Sequence, residues 1–239
     1  MKKSKDTFIL VVPAYNEELY IEDTILSWIK LLKQLPCSEI LVINDGSTDK
    51  TVKILDYLSK NNPTIKVVHK KNEGHGKTIL RGYKEAILSK HEWIFQTDGD
   101  GHYSASNFYS LWEKRQSSDF LLGHRLKRHD PFYRIILSVL ASLWVYVLFG
   151  VYIKDANIPF RLIRRKYLGN LLKRIPNNVF APNIFLSILA RIDGHNLFYI
   201  PVSHKLRRKA HASTFKILKG AYKSFYELLL FKISFKGSR

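Results

Sequence analysis

The chain has 239 residues, of which 39 are Lys or Arg and 20 are Asp or Glu, a formal net charge of +19. That length allows one large domain or one with an appendage. A hydrophobic content of 46% suffices for a core, and 12 Gly, 8 Pro and no biased tract exclude collagen-like, disordered and repeat architectures. The single cysteine, Cys37, excludes a disulfide framework and a cysteine-based zinc site and points to a reducing compartment.

In chain order, Phe8 to Val12 reads as a strand closed by Pro13. A helix follows from about Glu18 to Leu35, with Ile21, Ile25, Trp28, Ile29 and Leu32 on one side. Glu39 to Ile43 is a second strand, Asp45 to Asp49 a turn, and Asp49 can cap a helix over about Lys50 to Lys60. Ile65 to Val68 is a third strand, followed by a glycine-containing loop and a helix near Thr78 to Leu88. Trp93 to Phe95 is a fourth strand and Phe120 to Leu122 a fifth. Short apolar strands separated by helices predict an α/β fold, a mostly parallel sheet with helices on both faces. Ligands of such sheets sit beyond the C-terminal strand ends.

Polar clusters stand at those ends: Pro13-Ala-Tyr-Asn-Glu17, Asn44-Asp-Gly-Ser-Thr-Asp49, Asn72-Glu-Gly-His-Gly-Lys77 and Thr97-Asp-Gly-Asp-Gly-His-Tyr103. Asp98 and Asp100, with Gly99 between, can present two carboxylates to one hard cation, Mg²⁺ or Mn²⁺, shared with substrate phosphates. His102 stands two residues on as a candidate third ligand. An Asp-Gly turn is the plain alternative for the motif in isolation; its place beside three other clusters favours metal. Asp45 is a turn residue that can also accept from a nucleobase N–H. Tyr15 and Glu17 can pack on a nucleoside, although Glu17 equally suits the start of a helix. Lys77 can reach base or phosphate, or be solvated.

The clusters, in this order and at these spacings, resemble family 2 glycosyltransferases of the GT-A (Rossmann-like) fold. Gly123-His-Arg125, Arg134, Asp155 with Pro159-Phe-Arg161, and Arg208 with Ser213 extend the resemblance to polyprenyl-phosphate, dolichyl-phosphate mannosyltransferase-like members. The resemblance covers about residues 8 to 214 and implies a metal-dependent, inverting hexosyltransferase with a GDP- or UDP-linked nucleotide-sugar donor. It implies nucleoside-binding roles for Pro13, Tyr15, Glu17 and Asp45, and a metal-and-diphosphate role for Asp98, Gly99 and Asp100. It implies phosphate-handling roles for Arg125, Arg134, Arg208 and Ser213; arginine forks suit phosphate. His102 stands where these enzymes often carry glutamine. Asn44 replaces a more usual acidic residue, Asn157-Ile-Pro-Phe160 a Thr-Ser-Gly-Phe-like segment, and His211 a common glycine. No Gln-x-x-Arg-Trp occurs, which argues against processive polysaccharide synthesis.

Charge and apolar pattern bear on the acceptor. Residues 1–120 carry 17 basic and 16 acidic side chains, whereas residues 121–239 carry 22 basic and 4 acidic. The second half therefore faces something anionic, nucleic acid or membrane. Ile135 to Ile153 is an uncharged stretch of 19 residues, and Phe215 to Phe235 mixes Lys with aromatic and aliphatic residues. Basic and apolar together suit a membrane surface better than nucleic acid. The run Phe8 to Val12 is too short for a secretory signal. A single crossing by the first stretch would separate Arg208 and Ser213 from Asp98 and Asp100. An interfacial helix or helical hairpin is therefore expected near 132–153, and an amphipathic anchor over 215–239, on the cytoplasmic face of a membrane. A lipid monophosphate is already anionic and needs cationic seating; a hydroxyl acceptor needs a general base. The sequence thus predicts a single catalytic domain over 1–239. About 1–123 would bind the nucleotide-sugar and about 124–214 would receive polyprenyl phosphate. The competing readings are a hydroxyl acceptor on another glycan, with Asp155 as base, and a basic nucleic-acid-binding α/β protein. The latter gives no reason for Asp98-Gly-Asp100.

Overall fold

The computed structural model describes residues 6–35, 38–125, 132–203 and 214–236. Its first half alternates β1 (Phe8–Ala14), α1 (Ile21–Leu32), β2 (Glu39–Asp45), α2 (Thr51–Asn61), β3 (Ile65–Lys70), α3 (His75–Ile87) and β4 (Trp93–Gln96). Then come α4 (Phe108–Glu113), β5 (Phe120–Arg125), α5 (Phe132–Phe149), β6 (Arg161–Arg164), α6 (Arg165–Leu172), α7 (Pro182–Ile192), β7 (Phe198–Val202) and α8 (Thr214–Lys236).

The strands form one seven-stranded sheet in the order β3-β2-β1-β4-β6-β5-β7. The pairs β3–β2, β2–β1, β1–β4 and β5–β7 are parallel. β6 runs antiparallel to both neighbours, β4 and β5, so the sheet is mixed and not wholly parallel. All seven residues of β1 are buried, which explains its continuous apolar run: helices cover both faces. Ile21, Ile25, Trp28 and Leu32 of α1 face inward at helical spacing. Trp28 meets Phe95 at 5.3 Å, and Phe95 meets Phe108 and Phe160 at 4.8 and 4.7 Å. These edge and tilted contacts bind α1 and the 160 segment to the centre of the sheet.

Three boundaries differ from expectation. α1 begins at Ile21, not near Glu18, because the Tyr20 and Ile21 N–H groups both donate to the Glu17 carbonyl in a preceding turn. α3 begins at His75 rather than Thr78, since Gly74 adopts φ +92° and its carbonyl accepts from the Thr78 N–H and hydroxyl. α5 is one continuous helix ended by Gly150 at φ +69°; the hairpin alternative is not adopted. Among the described residues no helix is long and apolar enough to cross a membrane.

α5 and α8 pack on each other, Trp144 against Phe225 at 5.8 Å, and Phe231 of α8 meets Phe185 of α7 at 5.1 Å. Val145 and Leu228 are buried in that contact, while Val139, Leu143, Tyr146, Val147, Tyr222 and Ile233 are exposed.

Candidate active site

The register of the sheet brings the polar clusters together. Ala14 pairs with Asn44, Asn44 with His69, and Val11 with Gln96. The ladder continues past β4, since Thr97 N–H donates to the Val11 carbonyl and Gly99 N–H to the Pro13 carbonyl. The segment Asp98 to Asp100 is thereby held against the end of β1.

The loops after β1 and β2 are laced together. Asn16, at φ +52°, accepts from the Thr48 N–H at 2.8 Å, while its own N–H donates to Ser47. Glu17 N–H donates to the Thr51 hydroxyl, and Glu18 N–H to Asp49. Burial works to raise the Asp49 carboxyl, but hydrogen bonds from Thr51 and the Glu18 N–H outweigh it and hold the group below 3.8. Gly46 has φ +67°, and a Cβ there would lie 2.7 Å from the Asn72 nitrogen, so the turn closes tightly on the loop after β3.

Asp45 is buried, and its carboxylate accepts from the backbone N–H groups of Glu73 and Gly74, both at 2.9 Å, and from Lys70. This shapes the loop from Asn72 to Gly74 around the site. Asn44 has an internal explanation: its amide meets His69 Nδ1 at 2.9 Å, and its carbonyl oxygen accepts from Ser47.

The result is a cavity of about 410 Å³ lined by Pro13, Tyr15, Glu17, Asp45, Asp98, Gly99 and Asp100, together with Ala14, Asn72, Gly74, His75 and Thr78. Seven predicted site residues thus meet in one place. Asp100 accepts from the His102 N–H at 3.1 Å, and the His102 ring lies 3.6 Å from its other oxygen. His75 Nε2 approaches Asp98 Oδ1 at 3.8 Å from the opposite side. Lys77 is not part of the cavity wall; it points toward Glu73, 3.9 Å away. Thr78 was not anticipated, although it lies three residues after His75 on α3, and both line the cavity, Thr78 buried and His75 exposed.

On the acceptor side, Arg125 ends β5 and lies 3.4 Å from Asp155, both largely buried. Burial pushes the Tyr103 hydroxyl up, Arg125 opposes this, and Asp155, Asp98 and Asp100 add to it. Tyr103 therefore sits among the charges of both halves. Arg134 lies in α5, and Arg208 and Ser213 lie outside the described residues.

The rim of a mostly parallel sheet thus carries two carboxylates beside a cavity of about 410 Å³, an arrangement that suits a phosphate-bearing ligand and a hard cation. Residues 9–211 match the model of Glycosyl transferase family 2, and the chain belongs to that family. Among its relatives, the UDP-N-acetylglucosamine–dolichyl-phosphate N-acetylglucosaminyltransferase of Methanococcus voltae is 23% identical, covering 94% of this chain and 95% of the relative. The polyprenol monophosphomannose synthase of Mycolicibacterium smegmatis is 26% identical, over 82% of this chain and 76% of the relative. A solved structure of glucosyl-3-phosphoglycerate synthase from Mycobacterium tuberculosis, in complex with Mn²⁺, UDP-glucose and phosphoglyceric acid, aligns with TM-score 0.74 at 16% identity. It covers 96% of this chain and 81% of that one, a likeness of fold. The chain is a family 2 glycosyltransferase with a GT-A-like fold.

Proposed function

We propose that the enzyme transfers a sugar, with inversion, from a GDP- or UDP-linked donor to a polyprenyl phosphate at a membrane surface. The observation that carries the acceptor assignment is the outward apolar side of α5 and α8, exposed in the strongly basic half of the chain. Apolar surface flanked by cations suits a lipid that bears a phosphate. The two curated relatives named for dolichyl-phosphate and polyprenol products point the same way.

Pro13, Tyr15, Glu17 and Asp45 form the nucleoside end of the cavity, and Lys77, whose ammonium lies 3.9 Å from Glu73, would have to turn from it to reach base or phosphate. Asp98 and Asp100, with His102 beside them, are an oxygen-rich set that fits Mg²⁺ or Mn²⁺. Among the described residues no three His, Cys, Asp or Glu side chains converge to hold a metal by themselves. Substrate oxygens and water complete such a shell. Asp98 and Asp100 would hold a divalent ion that, when bound, would offset charge on the departing diphosphate. In the transfer itself, a lipid-phosphate oxygen forms a bond to the anomeric carbon as the bond to the nucleoside diphosphate breaks. No proton need be removed from a phosphate dianion, and Asp155, already paired with Arg125, is not required as base. Arg125, Arg134, Arg208 and Ser213 seat the phosphates.

A panel of UDP- and GDP-sugars, assayed with polyprenyl phosphate and Mn²⁺, tests this reading. The expected product is a glycosyl polyprenyl phosphate. Transfer only to glycan hydroxyls, with polyprenyl phosphate ignored, would overturn it.

A further inference from the structure

Behind Asp98 lies a chain of polar side chains that the apolar core does not require. Gln96, the last residue of β4, is fully buried, as is Tyr83 of α3, and Asn183 in the first turn of α7 is 1% exposed. Gln96 Nε2 donates to Asp98 Oδ1 at 3.2 Å. Gln96 Oε1 accepts from Asn183 Nδ2 at 3.1 Å and from the Tyr83 hydroxyl at 3.4 Å, and that hydroxyl also reaches Asn183 Oδ1 at 3.1 Å.

The chemistry of the groups sets the direction of each bond. Asp98 as a carboxylate only accepts, so the Gln96 amide must turn its NH₂ toward it and its oxygen inward. That oxygen needs a donor, which Asn183 supplies. The single Tyr83 hydroxyl proton is shared between the two amide oxygens, the Asn183 one being nearer, and burial, which pushes the hydroxyl up, keeps that proton in place.

The chain extends to the acceptor side. The guanidinium of Arg161, also fully buried, donates to the carbonyls of Asn183 (3.0 Å), Ala156 (3.1 Å) and Ile158 (2.7 and 3.0 Å), and to Ser187 at 3.5 Å. One buried cation thus fastens the loop after Asp155 to the start of α7, the element that carries Asn183. Burying this many polar groups is costly unless all are satisfied, and what they hold in common is the placement of Asp98.

We propose that Gln96 is a positioning residue that sets the Asp98 carboxylate for its cation, braced by Asn183 and Tyr83 and anchored through Arg161 to the acceptor loop. The inference rests on the reading of Asp98 and Asp100 as the cation site.

The test is Mn²⁺ binding, followed by electron paramagnetic resonance of free Mn²⁺ with UDP present, for wild type, Asp98→Asn, Gln96→Met and Tyr83→Phe. Methionine keeps the length of glutamine and removes its donor. Loss of an outer partner of a metal ligand weakens affinity roughly 10–100-fold, so Gln96→Met is expected to bind Mn²⁺ that much more weakly. Its turnover should be largely restored at saturating Mn²⁺, which a merely structural defect would not show. Tyr83→Phe should shift affinity in the same direction by a smaller factor. Unchanged Mn²⁺ affinity in a folded Gln96→Met, beside lost affinity in Asp98→Asn, overturns the positioning role alone. Wild-type affinity in Asp98→Asn removes the cation reading and the inference with it. If Gln96→Met fails to fold, Tyr83→Phe decides, and unchanged affinity there overturns the proposal.

Discussion

Asp100 and Asp155 are both carboxylates with a cationic or imidazole neighbour, and their surroundings assign them opposite work. Asp100 lines the cavity at the strand ends, with one oxygen held by the His102 N–H. Asp100→Asn keeps the volume and removes the charge that would face a cation. Loss of such a preorganised contact costs roughly 10²–10³ in rate; near wild-type transfer without excess metal would contradict the assignment. Asp155 instead is buried against Arg125. Asp155→Asn is therefore expected to lower stability by about 1–3 kcal/mol, by leaving the guanidinium poorly partnered, while transfer per folded molecule persists. Arg208→Ala should behave the other way. A phosphate brings its own nucleophilic oxygen and needs cationic seating, so losing a charge-assisted partner costs about 1.5–3 kcal/mol, roughly 10 to 150-fold in acceptor KM or turnover. Both variants belong in one assay, after circular dichroism shows them folded. A dead Asp155→Asn beside an active Arg208→Ala would exclude the lipid-phosphate acceptor and promote a hydroxyl.

Between elements, the contact of the loops after β1 and β2 depends on Asp49 being ionised. Its carboxyl lies below 3.8 in the fold, because hydrogen bonds from Thr51 and Glu18 outweigh burial. A group depressed by folding contributes stability that is complete above its unfolded value and is lost as pH falls through its folded value. Melting temperatures of wild type and Asp49→Asn should therefore differ at pH 7 and converge as the pH falls through the lowered folded value; a gap that persisted undiminished in acid would place the effect elsewhere. The elements joined there were readable from sequence, because β1, β2 and α1 bury one unbroken run or one helical stripe. β6 and β7 were not. Arg161-Leu-Ile-Arg164 is four residues with a charge at each end, and it is a strand only because Arg161 finds carbonyl acceptors in the core while Arg164 pairs with Asp119 and Glu92 and covers Trp93 at 4.6 Å. β7 contains Pro201, which an edge strand tolerates and a central one does not. The same limit applies to the site. Residues beside a glycine at a strand end were visible, whereas Gln96 and Asn183 have meaning only through partners 87 residues apart.

For the molecule as a whole, the residues lining the cavity at the strand ends belong to the near-neutral half, and the exposed apolar residues of α5 and α8 to the basic one. Val139, Leu143, Tyr146 and Val147 on α5 and Tyr222 and Ile233 on α8 are exposed on two helices that pack together. Apolar exposure on this scale marks an interaction surface. Under the proposed acceptor reading, the basic charge of the second half matches an anionic membrane. Each surface Lys or Arg contributes about 1 kcal/mol at an anionic membrane, and that part is screened as the Debye length falls to about 3 Å at 1 M salt. The apolar part is not screened. Flotation with vesicles should therefore show strong binding when anionic lipid is present, weaker binding at 1 M salt, and a residue of binding that salt does not remove. Val147→Asp combined with Ile233→Asp should abolish that salt-resistant residue while leaving low-salt binding to anionic vesicles measurable, because both side chains are exposed and neither lines the cavity. Complete release of the wild type by salt would reduce the contact to charge alone. Absence of binding to anionic vesicles at low salt would remove the membrane from the acceptor assignment altogether.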